Sequence, residues 1–260
     1  MRFLFAVLCM FVAASAAQAA VVVEEQVLQK GLFANSKCPP GASDPAYDEC
    51  QCDADIRYPQ LNGLKDNQAQ KAINDSFKRD AEQAMCAGEA VKTSPKTDNK
   101  KEPEKSPSSA SHHYEVTFQS PTMLGIKLTD WAYTGGAHGN GSVSGVIIDL
   151  EKGNVLSINN IFAEKDMPAV NQVIYDTLAA KPEEEVFRDQ IESRKGAFIV
   201  DSECQGCTLM LMPDGVHVVF QTYEVAPYAA GNAEVSIPTK YVTYPPILTA
   251  LTDSKAPEKK

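Results

Sequence analysis

The chain has 260 residues, of which 43% are apolar and 22% charged, a composition ordinary for a globular protein and foreign to disordered or polytopic membrane proteins. The formal charge of −10 argues against nucleic-acid binding, because neutralising phosphates requires a surplus of Lys and Arg on one face. The length allows one large domain or two lobes, with enough chain to bury a core.

The N-terminus has the three parts of a secretory signal peptide. Arg2 is basic, an apolar run starts at Phe3, and Ala17-Gln18-Ala19 supplies the small residues of an A-x-A cleavage site. We therefore expect residues 1–19 to be removed. Apolar residues continue through Val23, so an uncleaved membrane anchor is the alternative. The mature protein is expected to be periplasmic or secreted, with no membrane span after cleavage.

Six cysteines follow the predicted cleavage site, and an even count in an exported chain indicates disulfides: Cys38, Cys50, Cys52, Cys86, Cys204 and Cys207. The last two have the spacing of a redox motif or half a zinc site. A redox motif should open a helix, whereas a strand and turn are predicted here, and a zinc site would need further ligands. We expect a Cys204–Cys207 disulfide, no metal and no cofactor. The other pairings stay open, with Cys38–Cys50 and Cys52–Cys86 preferred.

The first predicted lobe covers residues 20–88. Strands are predicted at 21–28 and at 55–58, where Pro59 ends the second one, with a cysteine-rich loop between them. Between residues 66 and 85, apolar side chains recur at helical spacing and predict an amphipathic helix packed on a sheet: Ala69, Ile73, Phe77, Ala81 and Ala84. Residues 89–111 are rich in Lys, Pro and Ser, so we expect a disordered surface insertion.

The main predicted domain covers residues 112–252. Its patterns predict strands at 114–118, 125–129, 143–150, 208–212, 216–222 and 234–237, and helical segments near 166–178 and 186–191. Strand pairs joined by short turns, with few helices, indicate an α+β fold of antiparallel sheets with a few packed helices, arranged in two lobes. A flexible tail is expected at 253–260.

Two segments are candidates for function. The glycine loop, residues 133–141, reads Tyr-Thr-Gly-Gly-Ala-His-Gly-Asn-Gly, and its four glycines allow positive φ angles and close approach of another element or a ligand. It lacks the ending and the following helix of a phosphate loop. His138 could ligate a metal or move protons. Without further ligands at suitable spacing, such a histidine is more often a hydrogen-bonding loop residue.

The tyrosine loop, residues 223–231, follows a predicted strand and carries Tyr223, Glu224 and Tyr228. Tyrosines on a loop offer rigid amphipathic contact area for recognition, although they could equally cover the edge of the core. We predict that the two loops pack side by side. The candidate binding residues are Thr134, His138, Tyr223, Glu224 and Tyr228, and no catalytic residue is assigned.

These two loops, with Asp149-Leu150, Gly153, Leu156 and Ile237-Pro238, resemble the extracytoplasmic domain shared by the lysozyme-sensing anti-sigma factor RsiV and the peptidoglycan deacetylase PdaC. Residues Tyr58-Pro59-Gln60 and Ile73-Asn74 resemble the smaller domain that precedes it in those proteins. The resemblance implies an exported domain, which in the anti-sigma factor binds lysozyme.

The resemblance does not extend to the catalytic and signalling parts of those proteins. The deacetylase activity belongs to a separate domain with an Asp-Asp and His-x-x-x-His metal site, and this sequence has neither motif. Only Arg2 precedes the apolar run, so a sigma-binding segment is not expected.

Three functions remain open at this point. The first is a cell-envelope binding module that recognises a lysozyme-like muramidase or peptidoglycan. Its formal charge goes from −10 to −11 when Arg2 leaves with the signal, and this would attract a cationic muramidase. The second is an envelope hydrolase that uses His138 with Tyr223, Glu224 or Tyr228, although no hydrolase motif supports it. The third is a purely structural envelope domain.

Overall fold

The structure, a computed structural model, describes residues 20–34, 51–86, 89–90, 108–134, 137–201 and 203–254. The predicted signal peptide, Cys38, Cys50 and most of the Lys/Pro/Ser-rich insertion lie outside these residues. Among the helices of the described segments, none is long and apolar enough to cross a membrane.

The chain alternates strands with short helices. The strands are β1 Val22–Ala34, β2 Gln51–Asn62, β3 Glu89–Ala90, β4 Ser108–Gln119, β5 Met123–Tyr133, β6 Asn140–Asp149, β7 Asn154–Val155, β8 Ile199–Val200, β9 Glu203–Cys204, β10 Cys207–Met212, β11 Gly215–Phe220 and β12 Glu234–Ile237. The helices are α1 Asn67–Gln83, α2 Ile158–Ile161, α3 Met167–Ala179, α4 Arg188–Ser193 and α5 Pro245–Ser254. The α+β class predicted from the sequence is confirmed.

The largest sheet has seven strands in the order β3-β1-β2-β4-β5-β6-β7. Its neighbours are antiparallel except β2 and β4, which run parallel. A parallel pair requires a crossover connection, and α1 lies in the chain between these two strands. The sheet therefore combines strands from both predicted lobes, which are joined through β2 and β4.

Helix α1 packs its apolar side on the large sheet. Its N-cap residue Asp66 accepts hydrogen bonds from the backbone N–H groups of Gln68 and Ala69, which stabilises the first turn. The buried side chains of the helix are Ile73, Phe77 and Ala81. They pack against apolar residues of the sheet, so the amphipathic helix predicted from residue spacing is confirmed.

The three-stranded sheet β10-β11-β12 packs on the opposite face of the large sheet. Met123 belongs to the core on this side and its neighbour Leu124 to the core under α1, as the alternation of side chains along a strand requires. The Thr117 hydroxyl donates to the Leu211 carbonyl at 2.7 Å and so links the two sheets. Fully buried side chains fill the larger core: Phe162, Ile174, Leu178, Phe198, Leu211 and Phe220.

Two disulfides lie in the described segments. Cys52 on β2 is bonded to Cys86 beyond the end of α1, and Cys204 is bonded to Cys207. These are pairings that the sequence analysis favoured. The side chain of Gln29 donates to the Cys86 carbonyl at 3.1 Å and accepts from its N–H at 2.9 Å, which holds the first disulfide against β1.

The structure differs from the sequence-based boundaries in several places. Strand β1 continues to Ala34, β2 begins at Gln51, and residues 89–90 of the predicted insertion form β3. Strand β2 continues past Pro59 to Asn62. Beyond Ile56 it no longer pairs with β4 and has β1 as its ladder partner, so Pro59 lies at an edge, where proline is tolerated in a strand. Strand β4 begins at Ser108, so residues 108–111 belong to the sheet and not to the insertion. Helix α5 continues to Ser254, into the predicted tail.

Candidate binding site

The tyrosine loop is anchored at its base and turns its tyrosines outward. Val225 and Ala226 are buried, and the Val225 carbonyl accepts a hydrogen bond from the N–H of Phe187 at 2.8 Å. Tyr223 and Tyr228, by contrast, expose 46% and 37% of their surface. The short apolar pair between the tyrosines therefore fixes the loop to the core and leaves both rings at the surface.

Tyr223 adopts a left-handed backbone conformation, with φ of +69°. This conformation is uncommon for residues other than Gly, Asn and Asp, and it costs roughly 1–2 kcal/mol for a residue with a Cβ atom. The N–H of Tyr223 donates to the Ala226 carbonyl at 3.0 Å, which closes the tight turn that requires this conformation. A strained and exposed tyrosine indicates a role outside the core.

His138, Tyr223 and Tyr228 form what we call the aromatic patch. The His138 and Tyr228 rings are stacked with centroids 4.7 Å apart, and the Tyr223 and Tyr228 rings lie 5.9 Å apart at an angle of 28°. The rings come from loops 85 positions apart in the chain. The prediction that the glycine loop and the tyrosine loop pack side by side is confirmed.

Hydrogen bonds orient the His138 ring within the patch. Its Nδ1 atom lies 2.9 Å from the carbonyl oxygen of Gly139, and its Nε2 atom lies 3.3 Å from the hydroxyl of Tyr223. Because a carbonyl can only accept, Nδ1 donates, and in the neutral ring Nε2 accepts from the tyrosine hydroxyl. The three rings of the aromatic patch are therefore oriented by stacking on one another and by the hydrogen bond between Tyr223 and His138.

Glu224 is engaged away from this hydrogen-bond pair. Its Oε2 atom lies 2.6 Å from Nη2 of Arg194. Its side chain also occupies the place that a Cβ atom would take at Gly206, which has a φ of +64° and lies within the Cys204–Cys207 turn. Glu224 therefore braces the tyrosine loop on α4 and on the disulfide turn.

Thr134, the remaining candidate, is exposed and follows β5 directly. It lines a small groove together with Cys52 and Cys86. The next two residues of the glycine loop, Gly135 and Gly136, lie outside the described residues.

A groove of about 310 Å³ adjoins the patch at Tyr228. Its walls include Trp131, the only tryptophan of the chain, as well as the polar residues Thr222 and Asn232. A Cβ atom at Gly139 would collide with the Trp131 ring, so the glycine permits the loop to lie directly on the indole. Trp131 was not among the residues predicted for the site, and its position as a lone tryptophan beside the glycine loop was the available signal.

The described residues contain no group of three or more His, Cys, Asp or Glu side chains that could hold a metal ion. The groups that a ligand can contact at the aromatic patch are three aromatic rings, with two tyrosine hydroxyls and one imidazole among them.

Two family models match successive parts of the chain. The model described as Deacetylase PdaC matches residues 47–141, and the model described as Protein of unknown function (DUF3298) matches residues 159–240. Residues 47–141 are thus similar to the PdaC family and residues 159–240 to the DUF3298 family. The resemblance stated from the sequence motifs is thereby confirmed. His138 lies in the PdaC match and both tyrosines in the DUF3298 match, so the aromatic patch forms where the two meet.

Solved structures of DUF3298 proteins share this fold. One, from Bacteroides fragilis, is 15% identical with a TM-score of 0.58, and the alignment covers 91% of this chain and 99% of the other. Another, from Pseudomonas aeruginosa, is 14% identical with a TM-score of 0.51 and coverages of 88% and 97%. At these identities the similarity shows the fold alone. A search of curated proteins found no match.

Proposed function

We propose that the chain is an extracytoplasmic binding module of the cell envelope that recognises a lysozyme-like protein through the aromatic patch. The observation that carries this proposal is the stacking of exposed His138 and Tyr228 beside an exposed and strained Tyr223. Tyrosine is enriched among the residues that dominate the binding energy of protein interfaces.

The energetics of the tyrosine loop support recognition over a purely structural role. Burial of Tyr223 is only partial, whereas its left-handed backbone costs roughly 1–2 kcal/mol. The patch is also ordered before any ligand arrives, because its loop is fixed by Val225, by Ala226 and by the ion pair of Glu224 with Arg194. Preorganisation of this kind lowers the entropy that binding must remove.

Charge and redox chemistry support the location and the class of partner. The disulfides Cys52–Cys86 and Cys204–Cys207 fit an extracytoplasmic domain, since disulfides persist in oxidising compartments. The acidic balance of the chain would speed encounter with a cationic muramidase at low ionic strength.

The hydrolase hypothesis gains less support from the geometry. It uses His138 with Tyr223, Glu224 or Tyr228, and of these partners Glu224 is ion-paired with Arg194 and not with His138. Tyr223 donates to the imidazole and does not receive a proton from it in this arrangement. The geometry therefore supports a binding module better than a hydrolase.

Capture on beads tests this proposal. The mature protein, and a variant with His138, Tyr223 and Tyr228 all changed to Ala, are immobilised and exposed to lysozyme, to purified sacculi and to cytochrome c as a cationic protein of another class. Lysozyme retained by the wild type alone supports the proposal. Retention of sacculi alone would replace lysozyme by peptidoglycan as the ligand, and equal retention of cytochrome c by both forms would contradict specific recognition.

A further inference from the structure

A second groove, of about 600 Å³, lies on the face of the large sheet that carries α1. Its floor is formed by β4, β5 and β6, and residues near the end of α1 form one wall. In the register of these strands, His112, Asp130 and Ser142 lie opposite one another in a single row across the floor. The groove meets the Trp131 groove at strand residues 130–131 and 141–142, and none of the three patch residues lines it.

A histidine and an aspartate are paired on this floor. Nδ1 of His112 lies 2.7 Å from Oδ1 of Asp130. The histidine side chain is only 1% exposed, whereas 41% of the aspartate side chain is exposed. A carboxylate can only accept, so Nδ1 donates and thereby fixes the orientation of the Asp130 carboxylate at the groove.

The other ring nitrogen of His112 is unusual. Nε2 is buried and has no hydrogen-bond partner among the described residues. A buried polar atom without a partner costs roughly 1–3 kcal/mol, which an apolar side chain at the same place would avoid. Folding alone therefore gives little reason for a histidine here. The contribution that the structure shows for His112 is its hydrogen bond to Asp130. We therefore attribute the presence of a histidine at this position to the role of Asp130 in the groove.

The lining of the groove selects for a cation. It includes the carboxylates of Asp80 and Asp130 and no Lys or Arg. Five further side chains of the lining can accept hydrogen bonds: Gln83, Ser111, Asn140, Ser142 and Ser144. We propose that this groove binds a primary ammonium group, with Asp130 as its anionic partner and His112 as a positioning residue. The ammonium comes either from a lysine side chain of a protein or from a free aliphatic amine.

Isothermal titration calorimetry of the mature protein tests this proposal with 1,5-diaminopentane, with trilysine and with 1,5-pentanediol, which keeps the shape of the diamine without its charge. We expect at least one of the two amines to bind and the diol to bind at least about tenfold more weakly. Binding of trilysine alone identifies a protein lysine as the source, and binding of the diamine identifies a free amine.

Variants locate the site. Asp130→Asn should weaken amine binding about tenfold, whereas Asp253→Asn, which removes an exposed charge from α5, should leave it unchanged. His112→Asn can still donate to Asp130 from the position of Nδ1 and should bind within about threefold of the wild type, while His112→Ala should lose binding as Asp130→Asn does. The fluorescence of the single tryptophan, Trp131, reports whether each variant is folded.

Three results would overturn the proposal: no binding of either amine, equal binding of the diol, or the same loss in Asp253→Asn as in Asp130→Asn. If His112→Ala does not fold, Asp130→Asn and His112→Asn still decide between a positioned carboxylate and a merely structural pair. A structural pair would leave amine binding absent in every form.

Discussion

The side-chain amide of Gln221 pairs with both backbone groups of Val143. Its Nε2 atom donates to the Val143 carbonyl at 2.6 Å, and its Oε1 atom accepts from the Val143 N–H at 2.9 Å. Gln221 lies just before the tyrosine loop, and Val143 lies on β6, shortly after the glycine loop. This pair therefore acts as one rung of a sheet between the two loops that build the aromatic patch.

Replacing Gln221 by Ala should loosen the patch and destabilise the protein. The change leaves two backbone groups of Val143 without partners, so we expect the free energy of unfolding to fall by about 1–3 kcal/mol. Gln172→Ala is the matched control, because Gln172 is exposed on α3 and its side chain donates to the exposed side chain of Asp176, and it should cost less than about 0.5 kcal/mol. Urea unfolding of both variants measures the difference, and equal stabilities would show that the Gln221 pair contributes nothing.

Changing Tyr223 to Asn should separate stability from binding. Asparagine tolerates the left-handed conformation better than tyrosine, so the free energy of unfolding should stay the same or rise by up to about 1 kcal/mol. Binding through the aromatic patch should weaken at least about tenfold, since a ring is lost. Thermal unfolding and surface plasmon resonance measure the two effects. A clear loss of stability would mean that the Tyr223 ring is needed for the fold.

Tyr244 should make the protein less stable in alkali. Burial and, next, the hydrogen bond to Asp149 raise the pKa of Tyr244 above its usual value of 10.0. The folded state thus favours the protonated phenol. This contribution is complete below pH 10.0 and is lost as the pH rises through the folded-state pKa. The decline in stability from about pH 8 to about pH 11, followed by urea unfolding, should be shallower in Tyr244→Phe. Parallel curves for the two proteins would contradict this assignment.

The two disulfides should differ in their contribution to stability. Cys52 and Cys86 are 34 positions apart, and Cys204 and Cys207 only 3. In the chain-entropy description, the longer loop corresponds to about 4 kcal/mol and the shorter to about 2 kcal/mol. Paired Cys→Ala variants, compared by denaturant unfolding, test this order.

Mass spectrometry of the native protein tests the accompanying expectation that all six mature cysteines are oxidised, and free thiols or bound zinc would disprove it.

The sequence was informative where the signal is local. Alternating side chains located most strands, and helical spacing located α1 because Ile73 and Phe77 fall on one face. Helix α5 was missed because it opens with Pro245-Pro246, which is compatible with a first turn but is usually typical of a loop. The first residues of β4 were missed because Ser, Ala and His have little strand propensity, and their strand is fixed by neighbours on both sides.

The site divides in the same way. The glycine loop and the tyrosine loop have distinctive compositions. Their contact could be predicted because a glycine-rich loop allows close approach of another element, and the tyrosine loop was the best candidate for that element. The pairing of Gln221 with Val143 and of His112 with Asp130 depends on strand register over 78 and 18 positions, which no local pattern specifies. Glu224 was predicted as a binding residue because it follows Tyr223 in the sequence. Its side chain points to Arg194 instead, because the left-handed conformation of Tyr223 turns the chain at this position.

Surface plasmon resonance of Tyr228→Ala against lysozyme, over a range of salt concentrations, tests the central claim most directly. Truncation of a ring in the aromatic patch should cost about 2 kcal/mol or more and appear mainly as faster dissociation. Glu183→Gln and Glu184→Gln remove exposed charges from a short turn, so they should change affinity little. Salt should slow association without abolishing the complex. Binding that disappears at moderate salt and is unaffected by Tyr228→Ala would show nonspecific charge attraction and would contradict recognition through the aromatic patch.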